Sequence, residues 1–381
     1  MSDHQAPPIP AQPASPPRPG SLDPRELGFT PQRPVPWLAP LLLISTGLRT
    51  LLALLFGAYL DKRELQNSLP SEVTRQVGPD GDLWLDFVAD LGDGFNATYS
   101  VAYLLSRPEL TVDGHRLPRG QMLLMGGDQV YPTASGEAYE NRCKGPYQAA
   151  LPQAPVDGPR PVLYAVPGNH DWYDGLTAFL RLFAQSRASN IGGWRTPQSR
   201  SYFAVELPAD WWLFGLDGQS GVYLDDPQLR YFEEAAKRLT PDSRVIIAVP
   251  EPSWVKAVDK PQEYDTLDFF IRTLIAPTGA RVRLLLSGDL HHYARYRGRT
   301  GTWSPAEAAA PTSIRRTNCR SGSRCRRRTP WSGGPAPASR TRSPAATRSR
   351  PGPDGTAGES SAGCRCATPV SPPCSAGCTR C

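Results

Sequence analysis

Cysteine is scarce in most of this sequence, and its distribution separates two parts of the chain. Of the 381 residues eight are cysteines, and the first 300 residues contain a single one, Cys143. A single thiol forms no intrachain disulfide, so we expect this part to fold in a reducing compartment such as the cytoplasm. Residues 1–30 also lack the apolar run of a secretory signal, being polar and rich in proline.

Net positive charge is absent from the same 300 residues. The whole chain carries +6, but residues 301–381 contain thirteen arginines against three acids, which leaves −4 for the rest. A mildly acidic region lacks the basic surface that nucleic acids bind, so we predict no specific nucleic-acid partner.

Periodic apolar patterning is missing from both ends of the chain. Residues 1–36 predict a disordered proline-rich leader, and residues 300–381 predict a disordered tail rich in arginine, proline and cysteine. Residues 37–80 predict an apolar helix with a lead-in. Residues 81–299 then form one domain, long enough to bury a sizeable core.

The tail has three interpretations. Its charge is typical of a basic arm that binds nucleic acid. A metal-binding knuckle is the second, although the cysteine spacing matches no standard zinc pattern; its cysteines are Cys364, Cys366, Cys374, Cys378 and Cys381. We favour the third, translation out of frame from a GC-rich gene, because residues 311–381 contain no lysine and the apolar patterning stops abruptly.

Residues 37–60 are apolar enough to raise the question of a membrane. Arg49 lies near the middle, where a charge costs about 2.5–3.5 kcal/mol on insertion scales, and Pro40 weakens the span further. We therefore favour a buried or amphipathic helix leading into the core. Membrane association through residues 37–60 is the alternative.

Short apolar runs alternate with helical patterns after residue 82. Most of the runs are continuous, which is typical of strands covered on both faces. Strand candidates are 83–88, 122–125, 162–166, 212–215, 245–249 and 282–286, and helix candidates are 98–105, 176–185 and 227–238. This alternation predicts an α/β architecture with a layered sheet.

Metal-ligand side chains follow four of these strands directly. Asp90 follows the first strand, Asp128 the second, Asn169 and His170 the third, and His291 the last. In open α/β sheets, ligands bind beyond the carboxyl ends of the strands, so we expect these side chains to meet there. Oxygen donors combined with imidazole and an amide suit divalent or trivalent first-row ions.

The motifs containing these residues form an ordered set: Asp-x-Gly at 90–92, Gly-Asp-x-x-Tyr at 127–131, Gly-Asn-His-Asp at 168–171 and Gly-Asp-x-His at 288–291. The set resembles the calcineurin-like metallophosphoesterase superfamily, over roughly residues 83–297. Its first two motifs resemble the purple acid phosphatase variant in particular. The resemblance implies a layered β-sandwich flanked by helices, with the active site at the C-terminal ends of the strands.

The same resemblance implies hydrolysis of a phosphate mono- or diester by a metal-activated hydroxide. Two divalent or mixed-valence ions are implied, with iron, manganese or zinc as the expected elements. The first ion would be held by Asp90, Asp128, Tyr131 and His291.

This sequence offers fewer of the family's ligand residues for the second ion. It would share Asp128 and take Asn169, with Asp289 standing where the family usually has histidine. Pro250 lies in a stretch where the family normally supplies another histidine, so Glu251 is the nearby substitute.

His170 and Asp171 are the predicted catalytic residues. By resemblance His170 contacts the phosphate and protonates the leaving group, and we expect Asp171 to hold its imidazole. The first hypothesis is therefore a phosphoester hydrolase. The alternative is a phosphate-binding or regulatory module with a degraded second metal site and little activity.

Overall fold

The structure is a computed structural model that describes residues 23–60, 66, 68–69, 72–78, 81–156, 159–185, 189–218, 224–296 and 378–380. Most of the predicted leader and most of the predicted tail lie outside the described residues. The hypothesis of an out-of-frame tail concerns those residues and is not tested by the structure.

The helices confirm the three helix candidates and add shorter ones. They are α1 Pro40–Leu60, α2 Phe95–Ser106, α3 Gly136–Ala138, α4 Gly145–Ala150, α5 Asn169–Trp172, α6 Thr177–Phe183, α7 Asp226–Ala236, α8 Ser253–Lys256 and α9 Asp265–Phe270. A π-helical stretch, Tyr139–Lys144, joins α3 to α4, and another, Ile271–Ile275, continues α9. Short 3₁₀ turns occupy Pro261–Tyr264 and Ala276–Thr278.

All six strand candidates are confirmed within one or two residues. The strands are β1 Thr74–Arg75, β2 Leu85–Val88, β3 Glu109–Val112, β4 His115–Pro118, β5 Met122–Met125, β6 Val162–Ala165, β7 Ser189–Ile191, β8 Trp194–Thr196, β9 Phe203–Glu206, β10 Trp211–Gly215, β11 Arg244–Ala248, β12 Arg281–Leu286 and β13 Cys378–Arg380. Strands β2, β5 and β6 are buried along their whole length, as the continuous apolar runs of β5 and β6 predict; β2 also buries Asp86.

The strands form two main sheets with mixed pairing. One has the order β1-β9-β10-β11-β12, in which β10, β11 and β12 are parallel. The other has the order β13-β2-β5-β6-β8-β7, in which β2, β5, β6 and β8 are parallel. The predicted α/β class is confirmed in this general form. The carboxyl ends of β2, β5 and β6 lie side by side, as do those of β11 and β12.

A buried hydrophobic cluster is shared by the two sheets. It combines Leu124 and Tyr164 of one sheet with Val205 and Leu213 of the other, so the sheets pack face to face. Two further clusters cover the outer faces with helices. One joins β10 and β11 to α7 and α9, and the other joins β5 and β6 to α2, α4 and α6.

Of the two predicted forms of helix α1, buried or amphipathic, the described side chains do not show the buried one. Among its described side chains, Leu41 is 82% exposed and Ile44 is 68% exposed. Arg49 Nη1 donates to Thr133 Oγ1 at 2.8 Å, so the charge that weakens a membrane span here ties the helix to the domain. None of the described helices combines the length and apolar character needed to cross a bilayer.

One described element lies in the tail, where the sequence predicts no strand. β13 pairs antiparallel with β2, with Cys378 opposite Val88. Pairing of this kind uses backbone groups of a strand that would otherwise be an open edge, so it places few demands on the side chains.

Candidate metal centre

Four of the predicted ligands share an unusual backbone conformation. The φ angles of Asp90, Asp128, Asp289 and His291 are 59°, 53°, 78° and 51°. Residues other than glycine rarely adopt this left-handed region, and such strain clusters at functional sites. Each residue follows the carboxyl end of a strand, so tight turns there direct these side chains toward a common place.

Asp90, Asp128 and His291 come together at that place. One ligand atom from each lies within 4.8 Å of the other two. The backbone holds both carboxylates, because the Asp289 amide donates to Asp90 Oδ1 at 2.8 Å and the His170 amide donates to Asp128 Oδ1 at 3.0 Å.

Tyr131 completes this group. Its hydroxyl donates to Asp128 Oδ2 at 3.2 Å and lies 3.0 Å from His291 Nε2. Burial raises the pKa of the Tyr131 phenol, and the negative charges of Asp128 and Asp90 raise it further. A cation bound beside the two carboxylates would offset the effect of their negative charges on the pKa of Tyr131.

Burial also raises the pKa of the two carboxyl groups. The pKa of Asp90 is raised from 3.8 to about 6 by burial, and repulsion from Asp128 adds to the shift. The pKa of Asp128 is likewise raised to about 6 by burial, with a contribution from the charge of Asp289. Two carboxylates, a phenol and an imidazole that share one small space therefore fit a single first-row cation.

Close approach to Asp128 requires glycine at position 168. A Cβ built on Gly168 would lie 2.5 Å from the Asp128 nitrogen and closer still to Oδ1. The glycine of Gly-Asn-His-Asp therefore allows the loop after β6 to lie against the loop after β5.

The Asn169 amide lies against the Asp128 carboxylate. With its amide nitrogen turned toward the carboxylate, it donates to Oδ1 at 3.2 Å and to Oδ2 at 3.1 Å. In this orientation Asn169 positions the carboxylate through hydrogen bonds, whereas the predicted ligand role would require its oxygen on that side. The ligand role of Asn169 stays a prediction.

His170 is held differently from the sequence expectation. Its Nδ1 lies 2.7 Å from the Pro132 carbonyl oxygen. A carbonyl only accepts, so Nδ1 carries the hydrogen and Nε2 is the proton-exchanging atom. Burial lowers the pKa of the His170 imidazole against the opposing effect of the Pro132 hydrogen bond.

The predicted pairing of Asp171 with the His170 ring is therefore wrong. Asp171 is completely buried and accepts hydrogen bonds from the Gly168 amide at 2.8 Å, the Gln129 amide at 3.2 Å and the Tyr139 hydroxyl. Burial raises its pKa to about 8, with a further contribution from Asp128. These contacts tie the loop after β6 to the loop after β5, which is a structural role.

Glu251 and Asp289, the two substitutes predicted for the second ion, have a partner that the sequence analysis did not single out. Lys256 Nζ lies 3.1 Å from Asp289 Oδ2 and forms an ion pair with Glu251. Burial lowers the pKa of Lys256, but the hydrogen bond to Glu251 and the charges of both acids outweigh it and raise the pKa. The sequence signal was a lysine five residues after Glu251, at the end of the short helix α8.

The sequence also did not predict that an aromatic ring, that of Trp37, lies beside the centre. The Trp37 ring lies 5.8 Å from that of Tyr131 and 6.2 Å from that of His170, between centroids. Trp37 Nε1 donates to Asp93 Oδ1 at 2.9 Å, which fixes the indole ring in this position. These residues are 56 positions apart, so no local pattern predicted the contact.

In comparisons with known proteins, no family model matches this sequence and no curated protein is significantly similar to it.

Proposed function

We propose that this chain is a metal-dependent phosphoesterase that hydrolyses a phosphate mono- or diester. The observation that carries the proposal is the meeting of Asp90, Asp128, Tyr131 and His291 at the ends of three separate strands. Each residue belongs to a motif that resembles the calcineurin-like superfamily, and the motifs follow in that family's order.

The arrangement of layers supports the same proposal. Two sheets share a buried cluster, and helices cover the outer face of each. A layered β-sandwich flanked by helices is the architecture that the resemblance implies, with its site at the C-terminal ends of the strands. We propose this family fold on the combined support of layers and motifs, since layers alone serve many functions.

The residues of the chain have separable roles in the proposed reaction. Asp90, Asp128, Tyr131 and His291 would hold the ion, which would supply an activated water and positive charge next to the phosphoryl group. His170 presents Nε2 for proton exchange with the leaving group, with its ring fixed by the Pro132 carbonyl. Trp37 packs edge-on against the His170 ring.

The test is hydrolysis of p-nitrophenyl phosphate and bis(p-nitrophenyl) phosphate by the full chain, stripped of metal and reloaded with manganese, zinc or iron. We expect activity only in reloaded protein, and we expect Asp128→Asn to abolish it. Asp242→Asn is the matched control, because Asp242 is exposed in a turn. Stoichiometric metal binding without cleavage of either ester would contradict the hydrolase and favour the phosphate-binding or regulatory module.

A further inference from the structure

A lysine ammonium lies where the sequence motifs lead one to expect the second ion. Lys256 Nζ is 3.1 Å from Asp289 Oδ2 and is ion-paired with Glu251. All three side chains are partly exposed, at 32% for Lys256, 26% for Asp289 and 22% for Glu251. The ammonium is therefore held by two carboxylates and still open to a ligand from solution.

We propose that the centre binds one metal ion and that Lys256 supplies the second positive charge, binding a phosphoryl oxygen of the ligand. This inference deepens the proposed function and rests on it for the identity of the ligand. It changes the expected dinuclear centre into a mononuclear centre paired with an ammonium group.

The donors left for a second ion are too few. Pro250 offers no side-chain donor, and the ammonium already neutralises charge on Glu251 and Asp289. Asn169 and the shared Asp128 remain, and they satisfy each other when the amide nitrogen donates to the carboxylate. First-row ions in proteins take about four or more donors, so an amide and one shared carboxylate do not form a site.

The local backbone explains how Lys256 reaches this position. Strand β11 ends at Ala248, Pro250 and Pro252 shape the turn, and helix α8 begins at Ser253. The last residue of that helix is Lys256, whose side chain returns toward Glu251 at the end of the strand. One short segment thus both lacks the family's histidine donor and supplies the lysine.

An ammonium suits this task chemically. Lysine is a compact positive charge with three donors, and it binds phosphate as a point charge. Two of its donors can remain on Glu251 and Asp289 while the third meets a phosphoryl oxygen. The carboxylates then fix the ammonium, so little side-chain freedom is lost when the ligand binds.

The first measurement is the number of manganese or zinc ions bound per full-length chain, by equilibrium dialysis with elemental analysis. We expect one ion for the wild type and one for Lys256→Arg, which keeps the charge. Lys256→Met removes the charge and frees both carboxylates, so two ions are expected. Lys260→Met is the matched control, because Lys260 is exposed four residues further on, and it should bind one ion.

The second measurement is the affinity for inorganic phosphate at one equivalent of metal, by titration calorimetry. Loss of a charge-assisted hydrogen bond should weaken binding roughly tenfold or more in Lys256→Met. Lys256→Arg should stay within about threefold of the wild type, since a guanidinium also binds phosphate. Lys260→Met should leave the affinity unchanged.

The outcomes separate this inference from the proposed function. Two ions in the wild type, or phosphate affinity unchanged in Lys256→Met, overturns the inference even if the chain cleaves phosphoesters. One ion and Lys256-dependent phosphate binding, without cleavage of any phosphoester, contradicts the hydrolase and supports the inference. A wild-type chain that binds no ion contradicts both.

Discussion

At the scale of single residues, the centre places like charges close together in a buried space. Burial raises the pKa of Asp90 and of Asp128 from 3.8 to about 6, with added repulsion from Asp128 on Asp90 and from Asp289 on Asp128. A carboxyl group with a raised pKa binds its proton more tightly in the folded state than in the unfolded state. Its unfavourable contribution to stability therefore grows as pH rises from about 4 to about 6, and persists above that.

Asp90→Asn should consequently stabilise the metal-free protein at neutral pH. The asparagine oxygen can still accept from the Asp289 amide, as Asp90 Oδ1 does. We expect the free energy of unfolding to rise by on the order of 1–3 kcal/mol at pH 7.5, and to change little at pH 4. Urea denaturation with chelator present at both pH values measures this.

The same variant should lose stabilisation by metal, since it removes a proposed ligand. A fall in stability of metal-free Asp90→Asn at pH 7.5 would contradict the account of charge repulsion.

His170 gives a prediction that separates proton donation from simple phosphate contact. Burial lowers the pKa of its imidazole from the ordinary 6.5, so the protonated form is lost as pH rises through a value below that. We expect kcat for phenyl phosphate, whose phenolate is a poor leaving group, to fall as pH rises through the pKa of His170. His170→Gln should lower it roughly 10²–10⁴-fold.

Hydrolysis of p-nitrophenyl phosphate is the control, because its leaving group needs little protonation. Equal losses on the two esters in His170→Gln would assign His170 to phosphate contact instead.

At the scale of elements, the turns after the strands decide which side chains can meet. Gly168→Ala should weaken metal binding, because the added Cβ would press on Asp128. We also expect it to destabilise the fold by about 1–3 kcal/mol, in the range for overpacked sites. Isothermal titration with manganese and thermal unfolding measure the two effects.

Gly136→Ala is the matched control for this change. A Cβ at Gly136 meets nothing within 4 Å and lies in the helical segment α3, where alanine is favoured over glycine. Unchanged metal affinity in Gly168→Ala would show that the close approach of the two loops is unnecessary.

The sequence predicted those elements whose signal is local. Continuous apolar runs identified β5 and β6 because both of their faces are buried. The β3–β4 hairpin was missed although Asp113-Gly114, with φ of 50° and 81°, is a typical two-residue turn. Strand β1 has two residues, too few for any periodic pattern.

In the candidate site too, some contacts follow from local sequence motifs and others depend on tertiary folding. Motif register predicted that Asp90, Asp128 and His291 would meet, because each follows the end of a strand. The contact of Trp37 with Asp93 depends on tertiary folding across 56 positions. The ion pair between Lys256 and Asp289 likewise joins segments that are distant in sequence. Such contacts have no local signature.

At the scale of the whole molecule, helix α1 stands out because several apolar side chains in its described first half are exposed. Leu41, Ile44 and Leu48 are 82%, 68% and 55% exposed. Membrane association through residues 37–60 stays a prediction, and an exposed apolar helix beside the centre is the kind of element that lies on a bilayer surface.

Vesicle cosedimentation tests this prediction. Changing Leu41, Ile44 and Leu48 together to glutamine should reduce binding of the full chain to mixed phosphatidylcholine and phosphatidylglycerol vesicles by about tenfold or more. Glutamine favours helices, so α1 should remain. The control changes Val112, Val156 and Val258, which are also exposed, to glutamine. Equal binding of both triple variants would contradict a role for α1.

The most direct test of the proposed function is the rate of bis(p-nitrophenyl) phosphate and p-nitrophenyl phosphate hydrolysis as metal is titrated into metal-depleted full-length protein. The account predicts a rate that rises with bound metal and reaches its plateau at one ion per chain, and no rate at any metal concentration in Asp128→Asn. Hydrolysis that persists without metal, or that Asp128→Asn retains, would contradict it.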